Sequence, residues 1–124
     1  MNSIHKYSLK LIKSYKSYYI LTLELGRDKK SFYIYNIEEL NKNKSLIAVE
    51  KENDISCVSI SQQQKLRDLT IYGNYSLKYY KGLKIFFEIE GSIINGSYVL
   101  LVPSWGTRTK NRMWLLIMTN KKNL

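Results

Sequence analysis

The residue types best suited to holding an anion lie between two apolar runs, in Ser104-Trp105-Gly106-Thr107-Arg108-Thr109-Lys110-Asn111-Arg112. Arg108, Lys110 and Arg112 can neutralise phosphates, and the threonines and Asn111 can donate to phosphate oxygens. Trp105 has two readings, a ring that stacks a nucleobase or one that caps the end of the core. A second basic and aromatic set lies near the N-terminus, where Lys6, Lys10, Lys13 and Lys16 are interleaved with Tyr7, Tyr15 and Tyr18. On an extended chain every second side chain shares a face. Unbroken alternation therefore puts Lys10 and Lys16 with Tyr18, and turns Lys13 away.

Other chemistries find little material. His5 is the one histidine, so a nucleophilic triad would have to be built near a chain end, and the residue reads as a surface side chain. Cys57, in Ile-Ser-Cys-Val-Ser-Ile, reads as a small buried side chain rather than a nucleophile. The six glycines are scattered and no Gly-Lys-Ser/Thr phosphate loop occurs. Glu88 and Glu90 share one strand face, but so do Lys84 and Phe86, which makes that face a solvated edge rather than a pair of catalytic carboxylates. No catalytic residue, metal ligand or cofactor is assigned.

The composition favours an anionic partner. The chain has 124 residues, with 20 Lys and Arg against 10 Asp and Glu and a formal net charge of +10. The charge is also segregated. Met1 to Leu23 holds lysines and no acid, Gly91 to Leu124 is again without acid, and most carboxylates fall between Glu24 and Asp54. A basic domain of this kind suits nucleic acid or an acidic protein surface. A single cysteine rules out an internal disulfide and fits a reducing cytoplasm. No apolar run is long enough for a helix to span a bilayer, and no membrane role is expected.

Alternation supplies the elements that must hold these residues. Tyr7–Tyr15, Ser17–Leu25, Ser31–Tyr35 and Ser45–Lys51 read as strands, with Tyr19, Leu21, Leu23 and Leu25 facing one way in the second. Ile37–Asn43 and Ser61–Asp68 read as short helices, and Ile55–Ile60 as a further strand. Leu69–Tyr72 and Ser76–Tyr80 read as a hairpin around Gly73-Asn74. Three strands then follow, at Ile85–Ile89, Tyr98–Val102 and Met113–Met118. The last two are apolar on both faces, so each is covered on both sides, by a barrel interior and something packed outside or by a partner. The expectation is an all-β, single-domain barrel of about eight short strands with one or two short helices, over residues 1–120, with 121–124 a frayed basic tail.

The order of these pieces resembles the 3′-phosphoesterase domain of bacterial DNA ligase D and its stand-alone archaeal versions. The likeness lies in Gly82-Leu83-Lys84-Ile85-Phe86-Phe87-Glu88-Ile89-Glu90-Gly91, in Asn95-Gly96-Ser97-Tyr98-Val99-Leu100-Leu101-Val102, and in Trp114-Leu115-Leu116-Ile117. Ser31-Phe32-Tyr33-Ile34, Ser45-Leu46-Ile47-Ala48-Val49-Glu50 and Leu69-Thr70-Ile71-Tyr72 are similar to upstream strands of that family. The resemblance implies a β-barrel and a connection with DNA ends. Its metal-dependent signature, with His, Asp and Arg at alternate strand positions, does not carry over. The matching positions hold Ile12, Tyr18, Ile20 and Thr22; only Glu24, and Asp54 at about the place of a further family His, could touch a metal.

The reading is a non-catalytic relative of those enzymes that binds nucleic acid, DNA rather than RNA, in repair or replication. Its contact residues would be Lys10, Lys16, Tyr18, Trp105, Arg108, Lys110 and Arg112. The alternative is a protein-interaction subunit that docks a DNA repair or replication protein through a basic or apolar face. An enzyme with relocated catalytic groups is a third reading.

Overall fold

A computed structural model of the chain describes residues 3–13, 17–37, 45–51, 70–105 and 112–121. Eight antiparallel strands, β1 (Ser3–Ile12), β2 (Tyr18–Leu25), β3 (Asp28–Ile34), β4 (Leu46–Lys51), β5 (Thr70–Lys81), β6 (Lys84–Glu90), β7 (Asn95–Leu101) and β8 (Met113–Lys121), close into a barrel. Its order is β1-β2-β3-β4-β8-β7-β6-β5. The all-β barrel expected from alternation is what forms. Both expected helices fall on residues outside those described, apart from Ile37, as does the strand expected at Ile55–Ile60.

The strand order makes the barrel two four-stranded meanders that meet twice, β1 against β5 and β4 against β8. The halves correspond in register. Leu21 faces Phe32 across β2 and β3, as Phe87 faces Tyr98 across β6 and β7; Tyr19 and Ile34 correspond likewise to Ile85 and Leu100. The equivalence reaches the outer wall, where Thr22 bonds Ser31 (2.9 Å) and Ser97 donates to Glu88 (3.0 Å). This internal symmetry has no counterpart in a visible sequence repeat, because inward positions ask only for apolar bulk.

The core fills the barrel from both halves. Leu9, Leu21, Leu23, Phe32 and Ile34 are fully buried with Ile85, Phe87, Ile89, Tyr98, Leu100, Trp114 and Leu116. The C-terminal third supplies seven of these twelve side chains and the first meander the other five. Phe32 meets Trp114 edge-on, and Phe87 stacks on Tyr98. Buried tyrosine hydroxyls find backbone partners, as burial demands. Tyr75 Oη donates to the Glu24 carbonyl (2.7 Å), and Tyr98 Oη accepts from the Asn95 N–H (2.8 Å).

Two expectations are corrected. Gly73-Asn74 is not a hairpin turn but the middle of the continuous strand β5. Gly73 is needed there because the Tyr7 ring lies against it. A Cβ at this position would stand 2.8 Å from Tyr7 Cε1. Lys121 is not tail but the last residue of β8, paired with Gly96. The chain does turn tightly at Gly26 and Gly82, both with positive φ.

One end of the barrel has a polar lining. Lys30 and Glu50 point inward there, 3.0 Å apart, and Trp114 Nε1–H donates to the same carboxylate at 2.7 Å. Tyr80 donates to Asp28 nearby (3.1 Å).

Candidate nucleic-acid interface

The residues expected to act together are divided by the strand directions. Lys10 lies near the end of β1 and Tyr18 at the start of β2, where Ile12 pairs with Tyr18 and Lys10 with Ile20. Both side chains are on the outer wall, as alternation implies. Trp105 and Arg112 follow β7 and precede β8 at the opposite end of the barrel. Trp105 is 45% exposed rather than a cap sealed into the core, and Arg112 is exposed. The Arg112 carbonyl accepts from the Glu50 N–H (2.9 Å), which ties the base of this loop to β4. Lys16, Arg108 and Lys110 lie outside the described residues.

Tyr18 is not a lone ring. It stacks on Tyr33 at 5.2 Å between centroids and leans on Tyr35 at 5.4 Å, and Tyr18 and Tyr33 pack with Ile12 and Ile20 in a small apolar cluster on the outer wall.

A more complete arrangement lies lower on the same wall. The outward residues of β5, β1, β2 and β3 line up across the sheet: Tyr72 pairs with Ser8, Ser8 with Thr22, and Thr22 with Ser31. This row of hydroxyls is flanked on β1 by Lys6 and Lys10. A hollow of about 410 Å³ opens beside it, lined by Lys6, Ser8, Thr22, Glu24, Lys29 and Tyr72 among others. Its floor is the Tyr7 ring seen through the missing side chain of Gly73. Tyr72 is 76% exposed, the most exposed large hydrophobic side chain among the described residues. Lys6, Lys10 and Lys29 are in no ion pair among the described residues, unlike Lys30, which pairs with Glu50.

The groups on this wall are of the types that can hold an anion. Unpaired lysines attract phosphate, hydroxyls donate to its oxygens, and a protruding aromatic offers a stacking face. Glu24 is the one carboxylate in the hollow. Its side chain is exposed and stands in register with Lys29, and burial together with its charge pushes Tyr75 well above the usual tyrosine value. Burial also raises Tyr7, Tyr80 and Tyr98, in Tyr80 with help from Asp28.

Lys29 and Tyr72 were not legible as site residues. Lys29 sits in the turn-like Gly26-Arg27-Asp28 neighbourhood, and Tyr72 ended a strand in the hairpin reading. The available signal was the alternation of Tyr72 and Asn74 with Gly73 and Tyr75, which makes β5 a single strand with Tyr72 on its outer face. His5 points inward, bonds Ser3 Oγ at 2.7 Å and lies against the Tyr75 ring. Among the described residues no three His, Cys, Asp or Glu side chains converge as metal ligands do.

Compared with known proteins, the chain matches no family model and no curated sequence.

Proposed function

We propose that this barrel binds nucleic acid through the outer wall of β5, β1, β2 and β3. The observation that carries the reading is the hydroxyl row Tyr72–Ser8–Thr22–Ser31 set among the unpaired Lys6, Lys10 and Lys29. The net charge of +10 supplies the long-range attraction. The likeness to the ligase D phosphoesterase domain favours DNA, and repair or replication as the setting; Ile12, Ile20 and Thr22 at the signature positions favour binding without catalysis. Changing Lys6, Lys10 and Lys29 together to Ala tests the wall. The variant should weaken binding to all sequences alike and flatten the log–log salt slope by about 2 on single strands. An unchanged slope refutes the interface. Arg112→Ala tests the opposite end separately.

A second reading has its own observation. On the far wall Phe86, Val99 and Ile117 line up in register, and Leu101, Leu115 and Ile47 form a neighbouring row. Ile47 and Tyr79 are about half exposed. Such a face suits a protein partner. Size-exclusion chromatography with light scattering checks it: a monomer that binds no hydrophobic dye speaks against it.

A further inference from the structure

Resting on the nucleic-acid reading above, we infer that the ligand of this wall is single-stranded, with at least one base unstacked onto Tyr72. Tyr72 stands 76% exposed on a strand of the barrel wall, not on a loop tip. Its outward direction is set by the pairing of β5 with β1, and Gly73 beside it lets the Tyr7 ring close the sheet from within. The ring is therefore held out by a rigid element, at the margin of the hollow. In register with it is Ser8, and Lys6 and Lys10 stand about 7 Å to either side of Ser8 along β1. A strand laid along this row would meet a phosphate-seeking cation on each side of a hydroxyl, with an aromatic face alongside.

A duplex does not fit these groups. Its bases are already stacked on each other, so Tyr72 would gain no partner. Its grooves are read by a projecting helix or ribbon, whereas the wall of a closed barrel is convex and projects only single side chains. A single strand offers both the phosphates and the open base faces, and stacking on an aromatic tolerates any base. The wall thus recognises strandedness and not sequence.

The test is fluorescence anisotropy at low salt, with a labelled single-stranded oligonucleotide and a hairpin duplex of the same sequence, on the wild-type protein, Tyr72→Ala, Tyr72→Phe and the triple lysine variant. The expected result is tighter binding to the single strand, lost about tenfold or more in Tyr72→Ala and kept in Tyr72→Phe. Duplex binding should be the same in all three tyrosine forms. Because Tyr72 is exposed, its variants keep the fold, which circular dichroism verifies. Equal affinity of Tyr72→Ala and wild type for the single strand, or an equal loss on both probes, overturns the inference. If the lysine variant still loses binding in that case, the wall survives as a general phosphate-binding surface. No binding to either probe overturns both readings.

Discussion

Replacing Glu50 with Ala removes the acceptor that holds the polar end of the barrel together. Two groups lose their partner. Trp114 is fully buried and its Nε1–H would be left without the carboxylate 2.7 Å away, a cost of about 1–3 kcal/mol for an orphaned buried donor. Lys30 would keep its charge without its counter-ion. Breaking a fully buried pair costs about 3–5 kcal/mol. The side chains here retain 18% and 13% exposure, so Lys30 can reach water and the penalty falls to the lower part of that range or below. Together the loss should be about 3–4 kcal/mol, a large fraction of the stability of a domain this size. Glu50→Gln keeps an acceptor for Trp114 and loses only the charge, so it should cost about 1–2 kcal/mol. Urea unfolding followed by tryptophan fluorescence measures both. If Glu50→Ala unfolds within about 1 kcal/mol of wild type, or if Ala and Gln are equivalent, the network does not stabilise the barrel as described.

Two further outcomes follow from the packing. Gly73→Ala forces a Cβ to within 2.8 Å of the Tyr7 ring and should destabilise by about 1–3 kcal/mol. In a Tyr7→Leu background, where the ring is gone, most of that penalty should vanish; simple additivity in the double-mutant cycle would show that the ring and Gly73 are not coupled. Alkaline pH should unfold the protein. Tyr7, Tyr75, Tyr80 and Tyr98 are held above the usual value of 10.0 by burial, so the folded state keeps protons that the unfolded state releases. Stability from these groups is complete below pH 10.0 and lost as the pH rises beyond it. Phenolate absorbance should rise together with loss of the folded circular dichroism signal, and ionisation of all tyrosines in a still-folded barrel would contradict the burial argument.

Much of the wall's construction was readable along single strands. The alternation Tyr19, Leu21, Leu23, Leu25 implied one inward face, and it put Lys10 and Tyr18 on the other. What single strands do not contain is their neighbours. Lys29 and Tyr72 become parts of one surface only because β1 pairs with β5 and β2 folds back on β3, and pairing between the two meanders depends on closing the whole barrel. The glycine of β5 misled for a local reason: Gly73-Asn74 has turn chemistry, and the requirement that overrode it came from Tyr7, sixty or so residues away in the chain. Glu50 and Lys30 were hidden similarly. Each looks like a surface charge until Trp114 is placed between them and the core. In the basic loop, composition alone suggested an anion site, but the strand directions put Trp105 and Arg112 at the end away from Lys10 and Tyr18.

The most direct test of the account is the affinity of the wild-type protein for a single-stranded oligonucleotide across a salt series. A binding wall with three unpaired lysines predicts a log–log slope of about −2 or steeper. Weak binding with no dependence on salt would mean that the charge of +10 is compositional and that the wall holds no phosphate.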